Sequence, residues 1–198
     1  MQVEKSKERI ILGIDPGTKV MGYGLVKETG QKLELLSLGV VKMDHLDDHM
    51  LKLQRIFEKT MNLIENYQPD CLAIEAPFYG KNIQVMLKLG RAQGVAMAAA
   101  LSKNVDITEY SPRKIKQAIT GNGNSSKEQV AAMLQNLLKF KETPDFLDAT
   151  DGLAVAVCHS FQKISTKSGD KKSYTGWESF VKDNVKRVAS PATTKKVV

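Results

Sequence analysis

The order of the apolar segments constrains the fold of this 198-residue chain more than any other feature. Three apolar segments come first, over residues 9–14, 20–27 and 33–42, and short turns that contain glycine separate them. This pattern predicts three strands that follow one another as a meander. Two further short apolar segments, 71–77 and 105–109, then alternate with segments of helical periodicity. We therefore expect an α/β protein with a mixed five-stranded sheet flanked by helices.

The helices are predicted from apolar spacing and from residues that favour helix starts. Ser111 followed by Pro112 is typical of a helix start, because serine caps the free amides and proline fits the first turn. The predicted helices span residues 46–67, 82–101, 111–119, 125 or 126 to 139, and 144 to about 163.

Composition excludes several classes of protein. The chain is 42% hydrophobic and 26% charged, as is common for globular proteins, and no apolar run is long enough to cross a bilayer. The first nine residues mix both charge signs, so we expect no targeting segment. Cys71 and Cys158 each lie within an apolar stretch, which is typical of reduced core cysteines. We therefore expect a cytoplasmic protein.

The positive charge is concentrated near the C-terminal end of the sequence. Residues 165–198 hold eight Lys or Arg and three acids, which accounts for +5 of the formal net charge of +7. We expect residues 1–164 to form one domain and residues 165–198 to form a basic, mostly disordered tail. A polyanionic partner is one explanation of this charge, and a tail that only increases solubility is the other.

Two of the predicted strands end in a carboxylate. Asp15 follows the apolar run of residues 10–14, and Glu75 comes at the end of the fourth strand. Functional groups gather just beyond the strand ends in sheets of this kind. Burying an ionised carboxylate is costly unless a positive charge meets it.

The last predicted helix carries further acids in the segment DFLDATDGLAVAV. Asp148 and Asp151 are three residues apart and share a face, whereas Asp145 is explained by the favourable helix N-terminus. Gly152 leaves room for a close approach to this helix. No Lys or Arg at helical or cross-strand spacing neutralises Asp15, Glu75, Asp148 and Asp151. Oxygen-only ligands favour Mg²⁺ or Mn²⁺, and four separate exposed carboxylates are the alternative.

Six motifs, in this order, resemble the RuvC family of Holliday-junction resolvases: LGIDPGTKVMGYGLV, CLAIEAPFYGKN, LKLGRAQGVAMAA, EYSPRKIKQAITGNG, KEQVAAML and DATDGLAVAVCHS. The resemblance covers about residues 9–162. It implies a ribonuclease-H-like fold, a homodimer, and Mg²⁺-dependent endonuclease activity on four-way DNA junctions. The family's acidic quartet falls on Asp15, Glu75, Asp148 and Asp151, and this chain has Asp151 where some relatives carry histidine.

The resemblance also implies a mechanism and partners. Two Mg²⁺ ions per site, with Mn²⁺ as a substitute, would promote attack by water and stabilise the leaving 3′ oxygen. The products would be 5′-phosphate and 3′-hydroxyl ends, and a two-fold dimer would make paired symmetric nicks. This activity belongs to homologous recombination and DNA repair, so branch-migration motor proteins are expected partners.

Several residues are candidates for DNA contact. The resemblance assigns base stacking to Phe78, which would otherwise be interpreted as a core residue, and Tyr79 lies beside it. It favours Lys116 and Lys127 for phosphate contact. Further basic candidates are Lys81, Arg113 and Lys114. The helix over residues 82–101, rich in Gly, Ala and Met, is the candidate dimer interface, and packing on the sheet is its alternative.

Three other functions are alternatives to the cleavage of DNA junctions. The segment GIDPGTK resembles the first phosphate loop of actin-like ATPases, but such enzymes need a second lobe, and TDGLAV lies on a predicted helix. A catalytically silent junction-binding protein of the same fold remains open. So does a related nuclease that acts on RNA–DNA hybrids or transposon ends.

Overall fold

The computed structural model of the protein describes residues 8–77, 82–141 and 146–167. Within these ranges the strands are β1 (Glu8–Asp15), β2 (Val20–Thr29), β3 (Lys32–Lys42), β4 (Cys71–Glu75) and β5 (Asp106–Tyr110). The helices are α1 (His49–Tyr67), α2 (Ile83–Ser102), α3 (Pro112–Thr120), α4 (Lys127–Leu138) and α5 (Phe146–Lys167).

The strands form one mixed sheet in the order β3-β2-β1-β4-β5. β1, β2 and β3 pair antiparallel, whereas β4 pairs parallel to both β1 and β5. One core lies between the sheet and α1 and α2, and the other lies between the sheet and α3, α4 and α5. The predicted five-stranded mixed sheet flanked by helices is confirmed.

Strand β1 directs Asp15 toward the face of the sheet that α5 covers. Side chains alternate between the two faces along a strand. Ile11 packs in the core beneath α3, α4 and α5, whereas Leu12 and Ile14 pack in the core beneath α1 and α2. The same alternation places Asp15 on the α5 side.

Strand β4 repeats this arrangement beside β1. Ala73 packs in the α5-side core and Ile74 in the opposite core, so Glu75 follows on the α5 side. The parallel register pairs Ile14 with Ile74, and the next residues of the two strands are Asp15 and Glu75. The two strand-end carboxylates therefore lie side by side on one face.

Glycines bring the backbone of α5 against the backbone of β2. A Cβ atom on Gly152 would lie 2.5 Å from the Cα of Tyr23, and one on Gly22 would lie 2.1 Å from the carbonyl oxygen of Asp148. Only glycine permits such approaches, because any larger side chain would collide with backbone. Gly22 pairs with Asp15 in the β1–β2 ladder, so this contact sets the distance from α5 to Asp15. The close approach expected at Gly152 is thus made by a strand.

The helix starts follow the capping side chains. The predicted start of the first helix at residue 46 is wrong, because Asp48 accepts a 2.8 Å hydrogen bond from the amide of Met50 and caps a helix that begins at His49. Ser126 caps α4 in a reciprocal pair with Gln129, so the later of the two predicted starts applies. α5 is described from Phe146 and continues beyond its predicted end.

Other predictions concern the cysteines, the membrane and the tail. Cys71 and Cys158 are both buried and are not joined by a disulfide, as expected. None of the helices in the described ranges has the length and apolar character needed to cross a membrane. Residues 168–198 lie outside the described residues, so the basic tail stays a prediction.

Candidate active site

Three of the four predicted carboxylates line one cavity at the ends of β1 and β4. Asp15, Glu75 and Asp151 share this cavity of about 260 Å³ with Lys116 and Lys127. The rest of its lining is Pro112, Ile115, Val130 and Ala154. Residues from two strands and three helices therefore meet at one polar cavity with partly apolar walls.

Asp148, the fourth predicted carboxylate, lies at the edge of this group. Its Oδ1 atom is 3.7 Å from the Nζ atom of Lys127, and about half of its side chain is exposed. It lies one helical turn before Asp151 on α5, so the two share a face. We name Asp15, Glu75, Asp148 and Asp151 the acidic quartet.

Lys127 supplies a positive charge that was not expected. Its ammonium group donates a hydrogen bond to the carboxylate of Asp151 and also faces Asp148. Lys127 therefore meets the acidic quartet although it stands at neither helical nor cross-strand spacing from Asp148 and Asp151. Lys127 opens α4, whereas Asp151 lies on α5, and helical or cross-strand spacing cannot reveal a pair formed between two such helices.

Burial and mutual repulsion disfavour the charged forms of Asp15, Glu75 and Asp151. Burial raises the pKa of Asp15 to about 6, and the charge of Asp151 adds to this effect. Burial, followed by the charges of Asp15 and Asp151, raises the pKa of Glu75 to about 8. The charge of Lys127 lowers both pKa values without offsetting the increase. Ionising all four carboxylates would therefore place more negative charge in the site than Lys127 compensates.

The ligand chemistry of the quartet fits a hard divalent cation, although its side chains are not arranged to coordinate one. In the described part of the chain, no group of three His, Cys, Asp or Glu side chains is arranged to hold a metal ion. The quartet nevertheless offers only oxygen ligands and an excess of negative charge, as Mg²⁺ requires. A cation that binds here must take Asp151 from Lys127.

The structure separates the basic candidates for DNA contact. Lys116 and Lys127 line the cavity, whereas Lys114 lies with its Nζ atom 5.0 Å from the centre of the Tyr110 ring. Arg113 packs beside Gly123 in the turn between α3 and α4. Phe78, Tyr79 and Lys81 lie outside the described residues, so their assigned contacts stay predictions.

One polar residue near the site was not predicted from the sequence. Gln93 on α2 is 7% exposed, and its amide nitrogen donates to the backbone carbonyl of Glu75 and to the carboxylate of Glu109. The sequence signal is a single amide within the small-residue run RAQGVAMAAA. Spacing alone does not show that this amide faces the end of β4.

The sequence of this chain is similar to those of proteins from one family. The sequence profile described as "Crossover junction endodeoxyribonuclease RuvC" matches residues 11–159. The chain is 60% identical over 181 residues to the protein of that name from Christiangramia forsetii, covering 91% of this chain and 93% of that protein. It is 58% identical over 196 residues to the one from Cytophaga hutchinsonii, covering 97% and 96%.

Solved structures agree with the sequence comparison. The fold is similar to that of Thermus thermophilus RuvC in complex with a Holliday junction substrate, with a TM-score of 0.72, 32% identity, and coverage of 80% of this chain and 96% of that one. The yeast mitochondrial resolvase Ydc2 shares the fold at 15% identity and a TM-score of 0.57. The predicted ribonuclease-H-like fold is confirmed. The chain belongs to the RuvC family of crossover junction endodeoxyribonucleases.

Proposed function

We propose that the acidic quartet is the metal-binding catalytic centre with which this endonuclease cuts four-way DNA junctions. The observation that carries the proposal is the cavity in which Asp15, Glu75 and Asp151 meet with raised pKa values. Buried carboxylates that repel one another and are only partly compensated form a site whose stable state includes bound cations.

The quartet would hold two Mg²⁺ ions, with Mn²⁺ as a substitute. When bound, these ions would activate a water molecule for attack on the scissile phosphate and stabilise the leaving 3′ oxygen, giving 5′-phosphate and 3′-hydroxyl ends. Asp15 and Glu75 provide ligands on the rigid end of the sheet, and α5 provides Asp148 and Asp151. Lys116 and Lys127 would contact phosphate groups at the cavity rim.

Lys127 has two successive partners in this proposal. Without metal it neutralises Asp151 and Asp148, and once metal takes these carboxylates its ammonium group becomes available to the phosphate backbone. A tethered cation of this kind keeps the apoprotein stable, because the removal of one partner from a partly buried ion pair leaves the other uncompensated.

Replacing Lys127 with methionine should therefore destabilise the metal-free protein. We expect a loss of about 1 kcal/mol in EDTA, since half of the Lys127 side chain is exposed, and a larger rise in melting temperature when Mg²⁺ is added. Thermal denaturation with and without Mg²⁺ measures both effects. Lys103→Met is the control, because it removes a surface ion pair with Glu65 away from the site. Equal Mg²⁺ responses of the two variants would exclude the counter-ion role.

The exposed face of α2 favours a homodimer. Ile83, Leu87 and Leu101 are each at least half exposed, and Gly90 and Gly94 lie on the same face with open space above them. The opposite face of α2 is buried on the sheet, which leaves the exposed face available for a dimer contact. A two-fold dimer through this apolar face would present two sites to the two symmetric strands of a junction.

A charge in this face should separate the subunits. We expect Leu87→Glu to convert the dimer to a monomer at micromolar concentration, because pairing would bury two like charges across the two-fold axis. Sedimentation equilibrium measures the mass. The exposed Leu137 on α4 offers the control Leu137→Glu, which should leave the dimer intact. A dimer that persists in Leu87→Glu would place the interface elsewhere.

The DNA contacts beyond the cavity are part of the same proposal. Phe78 would stack on an unpaired base near the crossover, with Tyr79 and Lys81 beside it, and Arg113 would contact the backbone farther from the cavity. We also propose that the enzyme acts in the cytoplasm on chromosomal junctions, which branch-migration motor proteins would deliver during homologous recombination and repair.

The substrate class can be tested in one experiment. A labelled four-way junction, a linear duplex and an RNA–DNA hybrid are each incubated with the protein in Mg²⁺, in Ca²⁺ or in EDTA. We expect paired symmetric cuts in the junction with Mg²⁺ only. Preferential cutting of the hybrid would favour the related-nuclease alternative, and binding without cutting in Mg²⁺ would favour the silent one.

A further inference from the structure

We propose that Gln93 is a positioning residue that holds the end of β4, and with it Glu75, against the repulsion within the acidic quartet. This inference rests on the proposed function, because Glu75 needs to be held in place only if it serves as a ligand. The support comes from the contacts of one buried amide, from the surface of α2 on which it lies, and from the charges that Glu75 faces.

The side-chain amide of Gln93 donates two hydrogen bonds. Its Nε2 atom lies 2.7 Å from Oε2 of Glu109 and 3.3 Å from the carbonyl oxygen of Glu75. Both neighbours are acceptors, so the orientation of the amide is determined: the NH₂ group must face them. The charged Glu109 carboxylate makes the stronger bond and aims the second N–H of the same group at Glu75.

The hydrogen bond from Gln93 helps to fix the peptide group that joins Glu75 to Ala76. The amide of Ala76 donates a 2.8 Å hydrogen bond to the carbonyl oxygen of Tyr110 on β5. The peptide group that joins Glu75 to Ala76 is therefore bound at its N–H by a strand and at its C=O by Gln93. A peptide group held at both ends fixes the backbone from which the Glu75 side chain extends.

Glu75 needs such a restraint because neighbouring negative charges repel it. Glu75 is the last residue of β4, next to Asp15, and the negative charges of Asp15 and Asp151 both act on it. Repulsion among buried carboxylates moves the most mobile of them unless its backbone is fixed. Asp15 is paired with β2 through Gly22, whereas Glu75 belongs to the last pair of the β4–β5 ladder and its carbonyl is bound by Gln93.

Gln93 lies among the buried residues of α2, on the side of the helix that packs on the sheet. Ala92, Ala96 and Ala100 lie on the same face of α2 and are fully buried, so the helix sits close to the sheet. Gln93 is the polar residue among the buried residues of that helix. A buried amide costs stability unless its hydrogen bonds are made, and here one N–H is bound by Glu109 and the other by the carbonyl of Glu75.

The test compares Gln93→Met, Glu109→Gln and the double variant with the wild-type protein. Three quantities are measured: the Mg²⁺ concentration for half-maximal single-turnover cleavage, the rise in melting temperature caused by Mn²⁺ without DNA, and junction affinity in EDTA. Gln54→Met is the matched control, because Gln54 donates a 2.9 Å hydrogen bond to Glu58 on the exposed surface of α1.

We expect Gln93→Met to raise the required Mg²⁺ concentration about 10- to 100-fold and to reduce the Mn²⁺-induced shift, as for other residues that orient metal ligands. Junction affinity in EDTA should change less than about twofold, and high Mg²⁺ should restore much of the rate. Glu109→Gln should act in the same direction by a few fold. The double variant should match Gln93→Met, because Glu109 acts through Gln93.

The outcomes separate this inference from the proposed function. If the wild-type protein cleaves with Mg²⁺ and both single variants retain its metal requirement, the positioning role is wrong and the proposed function stands. Should Gln93→Met fail to fold, the exposed Glu109→Gln variant decides the matter by the same measurements. An absence of Mg²⁺-dependent cleavage in the wild-type protein overturns the proposed function and this inference together.

Discussion

Replacing Asp15 with asparagine should abolish junction cleavage while the protein continues to bind junctions. Asp15 lies at the end of the central strand β1, and its carboxylate faces both Glu75 on β4 and Asp151 on α5. An amide at this position removes negative charge and one ligand from the shared centre. We expect the single-turnover rate in Mg²⁺ to fall on the order of 10³-fold or more. A gel-based cleavage assay measures the rate, and a binding assay in EDTA measures affinity.

The same substitution should stabilise the metal-free protein. The pKa of Asp15 is raised from 3.8 to about 6 by burial and by the charge of Asp151, so the charged form costs folding free energy. This cost is absent below about pH 4 and is complete above about pH 6. At pH 7 in EDTA, Asp15→Asn should gain about 1–3 kcal/mol in the free energy of unfolding. Loss of cleavage together with loss of stability would instead indicate that Asp15 is structural.

Replacing Gly152 with valine should unfold the protein or move α5 away from the site. Its Cβ atom would lie 2.5 Å from backbone atoms of Gly22 and Tyr23, and strand backbone has no space into which to move. We expect a loss of about 3 kcal/mol or more in the free energy of unfolding. Any folded fraction should cleave poorly, because Asp148 and Asp151 would be displaced from Asp15. Chemical denaturation and cleavage by the remaining folded protein measure the two effects.

The matched control adds a methyl group to a helical glycine that has free space. A Cβ atom on Gly90 meets nothing within 4 Å. Gly90→Ala should leave the protein unchanged or stabilise it by up to about 1 kcal/mol, because alanine favours a helix over glycine. Both glycine variants are compared in the Leu87→Glu background, where the proposed dimer face is already disrupted. Similar losses in Gly152→Val and Gly90→Ala would contradict the close contact between α5 and β2.

Local patterns predicted most of the fold because each element of this chain carries a local signal. Apolar runs of strand length and a capping residue such as Ser111 depend on residues close together in the sequence. The helix start that was wrong, at residue 46, also has a local cause, since Asp48 caps a helix that begins at His49. The face on which Asp15 lies follows from strand alternation once the core side of Ile11 is known.

The parts of the site that could not be predicted depend on contacts between distant elements. Lys127 on α4 contacts Asp151 on α5, and Gln93 on α2 donates a hydrogen bond to the carbonyl of Glu75 on β4. Gly152 was expected to leave room for an approach, but nothing local shows that β2 is what approaches. A carboxylate's requirement for a positive charge can be inferred from its apolar neighbours, whereas the source of that charge is a property of the packed molecule.

Four carboxylates from two strands and one helix should bind the same catalytic cations. Anomalous diffraction from crystals grown with Mn²⁺ and a four-way junction locates these cations. We expect strong manganese peaks among Asp15, Glu75, Asp148 and Asp151, with Lys127 turned away from Asp151 toward a phosphate. Manganese bound elsewhere, or Lys127 still paired with Asp151 and no peak within the quartet, would show that these carboxylates do not form the metal site.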